Sequence, residues 1–259
     1  MTASVRIARI RDGQRTEADD TVVREQTVLL VVGGRRLLRL QCLPAAVEDL
    51  ALGLLVSSAL LGPAQPVPAI EYDPDAREVR VDLRLSDEVV AGLQESLTLG
   101  SGCGSALSPA RGFDPFECSR KIDTSFHVAA AAIGRAMTAF VQRSPLFRET
   151  GGVHAAAIAR NDEIVAFAED IGRHNAFDKA IGACRRQGVP LTDKIALVTG
   201  RLSLELVAKA VPSSLPVLVS RGAPTDAAIG LADAANLTLV GFARADRMNV
   251  YAAEWRITL

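Results

Sequence analysis

Four segments of the sequence place glycine and arginine directly after an apolar run. They are residues 169–175 (EDIGRHN), 199–203 (TGRLS), 220–225 (SRGAPT) and 241–247 (GFARADR). Glycine allows a ligand to approach the backbone, free amides at a helix start favour anions, and arginine binds phosphate with two parallel hydrogen bonds. We therefore predict that Arg201, Arg221, Arg244 and Arg247 converge on a ligand with several phosphates. The alternative is that these arginines only flank buried strands and are solvated.

None of these segments is a Walker P-loop or a G-x-G-x-x-G fingerprint. A nucleotide hydrolase and a dehydrogenase are therefore not supported.

One cysteine lies in a setting that suits a reactive thiol. Cys103 lies between Gly102 and Gly104 in a stretch without periodicity, and residues 97–122 are predicted to form a long surface loop. An exposed thiol there would be available for nucleophilic or persulfide chemistry, and an inert loop cysteine is the alternative. Cys42 and Cys184 are predicted to be small buried side chains, and Cys118 is ambiguous. No C-x-x-C pair exists, so no zinc ribbon is indicated.

Two histidines adjoin the glycine-rich segments. His154 follows Gly151 and Gly152 at a predicted strand start, and His174 follows Arg173 at a predicted helix start beside the acidic residues 169–170. Each is a candidate for a ligand contact or a proton transfer, and a structural, hydrogen-bonded histidine is the alternative.

The composition predicts a packed cytoplasmic protein. The 259 residues are 49% hydrophobic but only 4% aromatic, so the core must consist of Ala, Val, Ile and Leu. The net charge of −1 gives no general attraction to nucleic acid or membrane. No apolar run approaches the roughly 20 residues that cross a bilayer, and the first residues lack the apolar core of a signal peptide.

Periodicity divides the chain into two predicted regions. Residues 1–95 are predicted to be strands with one helix over 45–60, a glycine turn at 33–34 and a half-buried strand over 79–85. The second region is α/β. Its predicted helices are 123–142, 174–187, 203–210 and 225–235, and its predicted strands are 153–159, 164–167, 195–198, 217–219 and 237–240. Such strand–helix alternation places a site at the carboxyl ends of the strands.

Several of these motifs resemble the FdhD/NarQ family of formate dehydrogenase accessory proteins. The resemblance lies in residues 44–62, 150–155 (TGGVHA), 168–179 (AEDIGRHNAFDK), 199–203, 220–225 and 241–251 (GFARADRMNVY). It covers nearly the whole chain, and the 168–179 stretch is long and specific.

The resemblance implies a sulfur carrier protein required for formate dehydrogenase activity. Such proteins receive sulfur from a cysteine desulfurase as a persulfide on a loop cysteine. They transfer it to the molybdenum cofactor, a bis(molybdopterin guanine dinucleotide), before the cofactor enters formate dehydrogenase. A guanine nucleotide such as GDP would mimic part of that cofactor. The partners implied are the desulfurase, formate dehydrogenase and a second copy in a homodimer, with no nucleic acid and no membrane.

The resemblance also assigns a fold and site residues. The fold implied is α/β, with a cytidine deaminase-like three-layer main domain (123–259), a smaller N-terminal β-rich lobe (1–95) and a flexible cysteine-bearing loop (96–122). Cys103 would carry the persulfide. The resemblance assigns cofactor binding to residues 242–247, that is Phe242, Ala243, Arg244, Ala245, Asp246 and Arg247. The strand ends described above add Arg201, Arg221, His154, Arg173 and His174 to the candidate cofactor-binding residues. No zinc site is expected, because Ala155 and Ala156 follow His154 and no cysteine pair is present.

The chain departs from the family pattern at Ala106, where the loop motif Cys-Gly-x-Cys has its second cysteine. A single thiol can still hold a persulfide, and Cys118 is a hypothetical substitute for the second thiol. Three functions stay open: a sulfurtransferase, a cofactor-binding chaperone without sulfur transfer, and a nucleotide-binding regulatory module with inert cysteines.

Overall fold

A six-stranded mixed sheet forms the centre of the protein. The computed structural model describes residues 1–90 and 121–259, so Cys103, Ala106 and Cys118 lie outside the described residues. The strands, in spatial order, are β13 (Asn249–Ala252), β12 (Thr238–Gly241), β11 (Val217–Ser220), β10 (Ile195–Val198), β8 (His154–Arg160) and β9 (Glu163–Asp170). Neighbours β10, β11 and β12 are parallel, whereas β8 is antiparallel to both β9 and β10.

Both faces of this sheet are buried. Ala156, Ile158 and Leu218 face a core shared with the helices α4 (Arg173–Arg186), α5 (Leu204–Ala210) and α6 (Asp226–Ala234). Ala157, Leu197 and Val219 face a second core, formed with helix α2 (Ala130–Gln142). Helices therefore cover the sheet on both sides, and the unbroken apolar runs are explained by burial on both faces.

The N-terminal region contains a hairpin, a second sheet and one helix. The hairpin pairs β1 (Thr2–Arg11) with β2 (Gln14–Val23). The four-stranded sheet has the order β4 (Arg35–Cys42), β3 (Gln26–Val32), β6 (Glu78–Val81) and β5 (Ile70–Asp73). Gly33 and Gly34 join β3 to β4 with φ of 57° and 78°, as a two-residue hairpin turn requires. Helix α1 (Val47–Ser57) lies between this sheet and the rest of the molecule.

Two glycines allow α1 and α4 to touch backbone to backbone. A Cβ on Gly53 would lie 1.7 Å from the carbonyl oxygen of Asp178, and a Cβ on Gly182 would lie 1.9 Å from that of Asp49. Nearby, Lys209 of α5 pairs with Asp178 at 2.6 Å, and Ser57 also donates to Asp178 at 2.6 Å. One hydrophobic core runs through this contact and includes residues from both predicted regions. The division at residues 95 and 123 stays a prediction.

Most predicted elements are confirmed, and two are wrong in extent. The helix predicted from 123 begins only at Ala130, because Val128–Ala129 pair as strand β7 with β14 (Ile257–Thr258) and the Thr124 hydroxyl donates to the carbonyl of Thr192. The strand predicted over 79–85 ends at Val81, because the Leu83 amide donates back to the Val81 carbonyl. The short helix α3 (Pro145–Thr150), β13 and a 3-10 turn at Glu254–Arg256 were not predicted.

Candidate functional site

The strand directions bring all four glycine–arginine segments to one edge of the sheet. Strands β9, β10, β11 and β12 run the same way, and each is followed by one of these segments. Strand β8 runs the opposite way, so its first residue, His154, lies at the same edge. The four segments therefore lie at one edge of the sheet, whereas the convergence of their arginines on a ligand with several phosphates stays a prediction.

The glycines at this edge let neighbouring loops pack together. A Cβ on Gly222 would lie 3.1 Å from the carbonyl oxygen of Gly200, and a Cβ on Gly241 would lie 3.2 Å from that of Gly222. A Cβ on Gly200 would lie 2.9 Å from the Cδ atom of Arg173. Ser220 strengthens the contact, because its hydroxyl donates to the Gly200 carbonyl and accepts from the Gly222 amide. Loop packing, rather than ligand approach, is what these glycines visibly provide.

A cavity of about 600 Å³ opens at this edge. Its lining includes the polar residues His154, Thr199, Arg221 and Arg244. It also includes a set of apolar residues, namely Phe140, Val141, Phe147, Val153 and Ile171. A space of this size and mixed lining is typical of a site for a small molecule or for one portion of a larger ligand.

Not every predicted site residue lines this cavity. Arg221, Arg244 and His154 do, whereas Arg173, His174, Arg201, Phe242 and Arg247 are absent from its lining. Arg201 and Arg247 are exposed at the same edge, outside the cavity.

His154 is held at the cavity wall by Thr199. Its Nδ1 atom lies 3.2 Å from the Thr199 hydroxyl, which also accepts from the Ala155 amide at 3.1 Å. Burial, and secondarily the positive charge of Arg173, lowers the pKa of His154 below its ordinary value. A neutral imidazole at this position can donate or accept one hydrogen bond toward a ligand. Apart from its position at a strand end, no sequence pattern indicated Thr199 as the partner of His154.

The His174 side chain is enclosed and lies close to Glu205. Its side chain is only 7% exposed, and Nε2 lies 3.3 Å from a Glu205 carboxylate oxygen without the alignment of a hydrogen bond. Burial, followed by the charges of Lys209, Arg173 and His154, lowers its pKa to about 3. The imidazole is therefore neutral near pH 7, so the close approach of Glu205 is not an ion pair.

The predicted acidic neighbours of His174 are engaged elsewhere. Asp170 pairs with Lys179 at 2.6 Å and accepts from the Leu43 amide and the Asn175 side chain. Glu169 accepts from the Ser144 hydroxyl and the Phe147 amide. These carboxylates tie β9 and α4 to the N-terminal region and to α3, and the ligand contact or proton transfer predicted for His174 stays a prediction.

Arg173 retains an unused donor. Its aliphatic stem rests against Gly200, and its buried Nε atom has no hydrogen-bond partner within the described part of the chain. A buried guanidinium nitrogen without an acceptor is costly, and an anion at this edge would satisfy it.

The segment after β12 combines buried and exposed positions. The Ala243 side chain is fully buried and its amide donates to the Ser220 carbonyl, so it offers no side chain to a ligand. Phe242 is 44% exposed in a left-handed conformation with φ of 52°. Arg244 donates to the carbonyl oxygen of Arg221 at 3.1 Å, which joins the two arginine loops. Ala245, Asp246 and Arg247 are exposed.

Sequence reasoning missed two residues that shape this site. Gly134 of α2 abuts the segment, and a Cβ there would lie 2.2 Å from the Ala245 carbonyl oxygen. Phe147 lines the cavity from the unpredicted helix α3. The only sequence signal for Gly134 was the presence of a glycine inside a predicted helix. No sequence pattern indicated Phe147.

The two described cysteines are not reactive thiols. Cys42 and Cys184 are fully buried, and burial raises the pKa of each to about 12. Their predicted role as buried packing residues is confirmed. Cys103, the predicted persulfide residue, lies outside the described residues.

The described residues contain neither a membrane-spanning helix nor a metal-binding cluster. No helix in residues 1–90 or 121–259 is long and apolar enough to cross a membrane. Within the same ranges, no group of three His, Cys, Asp or Glu side chains could hold a metal ion. The cavity at the carboxyl edge of the sheet is lined by both cationic and apolar residues.

Comparison with known proteins identifies the family. Residues 23–258 match the FdhD/NarQ family. The chain is 34% identical to the sulfur carrier protein FdhD of Shouchella clausii, over 99% of this chain and 97% of that protein. It is also 34% identical to the sulfur carrier protein FdhD of Wolinella succinogenes, over 94% and 84%. The chain belongs to the FdhD/NarQ family.

A solved structure shows the same fold. The crystal structure of a candidate formate dehydrogenase accessory protein from Desulfotalea psychrophila matches with a TM-score of 0.80. The match covers 99% of each chain at 24% sequence identity. This chain therefore shares the mixed α/β fold of that protein.

Proposed function

We propose that this protein is a sulfur carrier required for formate dehydrogenase activity. It takes sulfur from a cysteine desulfurase and transfers it to the molybdenum cofactor before the cofactor is inserted into formate dehydrogenase. Relatives that match almost end to end are named for sulfur carriage, which supports the proposal. We further propose that the protein is a homodimer in the cytoplasm. Its main domain is proposed to have a cytidine deaminase-like fold.

The observation that carries the proposal is the cavity, whose lining includes Arg221 and, from the 242–247 segment, Arg244. The cargo, a bis(molybdopterin guanine dinucleotide), is a polyanion with several phosphates and flat rings. Guanidinium groups bind phosphate oxygens in pairs, and His154 and Thr199 add neutral hydrogen-bonding groups. Arg173 lies at the same edge, and its buried Nε atom has no hydrogen-bond partner within residues 1–90 and 121–259.

The sulfur step is assigned to Cys103. Its thiolate attacks the outer sulfur of the desulfurase persulfide. A new S–S bond forms on Cys103, the S–S bond of the desulfurase breaks, and the desulfurase cysteine leaves as a thiolate. No oxidant or reductant is consumed in this exchange. The described cysteines do not compete, because both are buried with raised pKa values.

A second candidate function follows from Ala106. Without a second loop cysteine, the protein would bind and deliver the molybdenum cofactor as a chaperone and move no sulfur. This candidate uses the same cavity and arginines and differs only in the role of Cys103.

Intact mass after incubation with a cysteine desulfurase and cysteine separates the two candidates. We expect a gain of one sulfur in the wild type and in Cys118→Ala, and no gain in Cys103→Ala. No gain in the wild type would favour the chaperone, and a gain in Cys103→Ala would move the persulfide to another cysteine.

Cofactor binding is tested with Arg221→Gln. We expect the variant to bind GDP and the molybdenum cofactor about tenfold more weakly, since one charge-assisted contact is lost. Arg160→Gln is the matched control, because Arg160 ends β8 at the opposite edge of the sheet and is exposed. Equal affinity for both variants would place the anion elsewhere.

A further inference from the structure

The cavity lining combines two chemically different sets of residues, and only the arginines were anticipated. Arg221 and Arg244 suit phosphate groups. Phe140, Val141 and Phe147 also line the cavity and have no charge to offer an anion. A ligand that fills this cavity of about 600 Å³ must therefore present an apolar surface as well as an anionic one. The bis(molybdopterin guanine dinucleotide) is larger than the cavity, so the space can hold only part of it.

Phe147 differs in solvent exposure from Phe140, the other phenylalanine in the cavity lining. Phe140 is 1% exposed and packs edge-on against Phe167, with ring centroids 6.1 Å apart. Phe147 is 54% exposed although it lines the cavity. The Phe140 ring thus belongs to the core, whereas the Phe147 ring has an open surface. A large exposed aromatic side chain beside a cavity is typical of a binding contact.

The backbone of Phe147 is held firmly although its ring is open. Its amide donates to Glu169 at 3.2 Å, and the same carboxylate accepts from the Ser144 hydroxyl. Its carbonyl accepts from Gly151 at 2.8 Å, which closes the end of α3. Leu146, one residue before it, is buried in a small separate core. The ring is therefore presented to the cavity from a fixed position.

We infer that Phe147 is a specificity-determining residue that stacks on a planar heteroaromatic ring of the cargo while Arg221 and Arg244 hold its phosphates. The inference rests on the proposed function in taking the cargo to be a nucleotide-bearing cofactor. Stacking on an aromatic side chain recognises any flat ring, and it adds affinity that a bare phosphate ligand does not gain. Glu169 is a positioning residue for this contact, because it holds the Phe147 backbone.

Calorimetric titration with GDP and with inorganic pyrophosphate tests the inference. Phe147→Leu should weaken GDP binding about tenfold, the loss of one stacked base, and leave pyrophosphate binding unchanged. Phe147→Tyr keeps the ring and should bind GDP like the wild type. Arg244→Gln should weaken both ligands, because it removes the shared phosphate contact. Because Phe147 is 54% exposed, its replacement should leave the fold intact. A folding defect would also weaken the binding of both ligands rather than that of GDP alone.

Three results would overturn the inference: GDP affinity of Phe147→Leu equal to that of the wild type, equal losses for GDP and pyrophosphate, or no GDP binding by the wild type. The same variants incubated with a desulfurase separate this inference from the proposed function. Sulfur uptake on Cys103 with GDP binding unaffected by Phe147→Leu defeats only the inference. A GDP loss in Phe147→Leu without sulfur uptake by the wild type defeats only the sulfur-transfer role.

Discussion

At the scale of single residues, the 168–179 stretch makes two sets of contacts. Arg173 lies against Gly200 at the site edge, and its buried Nε atom has no hydrogen-bond partner among the described residues. Asp170, Asn175 and Lys179 instead bond to one another and to Gln41 and Leu43 in the N-terminal region. Neighbouring residues of one motif thus contact different parts of the molecule, since successive residues of a helix point in different directions.

His174 should make the stability of the protein depend on pH. Its pKa falls from 6.5 to about 3 on folding, chiefly through burial. His174 is therefore protonated below pH 6.5 in the unfolded chain, whereas in the folded chain it stays neutral down to about pH 3. The stabilisation is complete above pH 6.5 and is lost as the pH falls through this window, by up to about 1.4 kcal/mol per pH unit.

Urea unfolding between pH 7 and pH 4 measures this effect. His174→Gln, which cannot be protonated, should lose less stability over the window than the wild type. His127→Gln is the control, because His127 is exposed. Parallel pH curves for the wild type and His174→Gln would contradict the assignment.

At the scale of elements, close helix contacts position the parts of the molecule. Gly53 and Gly182 face each other where α1 crosses α4. Each replacement by alanine should raise intrinsic helix stability by about 1 kcal/mol, yet we expect a net loss of about 3 kcal/mol because the Cβ overlaps a carbonyl of the other helix. Chemical denaturation measures the loss.

The double variant Gly53→Ala/Gly182→Ala sharpens this prediction. Either Cβ forces the same two helices apart, so the combined loss should be smaller than the sum of the single losses. Gly62→Ala is the control, because its Cβ would meet only the flexible Gln65 side chain at an ordinary 3.5 Å. Additive losses would show that the two glycines are not coupled through one contact.

Gly134 should control the site through the 242–247 segment. Alanine there would place a Cβ 2.2 Å from the Ala245 carbonyl and displace the segment that carries Arg244. We expect Gly134→Ala to bind GDP roughly tenfold more weakly, since small displacements of binding groups have large effects. Titration calorimetry beside thermal unfolding checks it, and unchanged GDP affinity in a folded variant would refute the link.

The sequence predicts where the candidate site lies better than it predicts which residues contact one another there. Buried apolar runs ended by Gly-Arg pairs indicate the carboxyl edge of a sheet, and Arg221, Arg244 and His154 do meet there. The roles of Gly134 and Gly200 depend on Ala245 and Arg173, which are distant in sequence. Such contacts exist only after the chain has folded, so no local pattern could reveal them.

At the scale of the whole molecule, the largest core joins the two ends of the chain. It includes Leu30 and Leu50 from the N-terminal region together with Phe177 and Leu206 from the α/β region. The buried pair of Asp178 and Lys209, with Ser57, crosses the same boundary. A shared core and a shared ion pair imply that neither region can lose its structure without exposing buried surface of the other.

Cys42 and Cys184 allow this cooperativity to be measured. Cys42 lies in the N-terminal sheet and Cys184 in α4. Both are fully buried with pKa values near 12, so neither reacts with a disulfide reagent until its surroundings open. Two variants that each keep a single cysteine, either Cys42 or Cys184, with Cys103 and Cys118 also replaced, report the two regions separately.

We expect both thiols to become reactive at the same urea concentration, together with the change in Trp255 fluorescence. Coincident transitions are the signature of one cooperative unit. If Cys42 reacted at distinctly lower urea than Cys184, the N-terminal region would be a lobe that unfolds by itself. That outcome would favour the predicted boundary at residue 95. A single transition would instead mean that the shared core makes the two regions one folding unit, in which α1 stabilises α4 and, through α4, the position of Arg173 at the site.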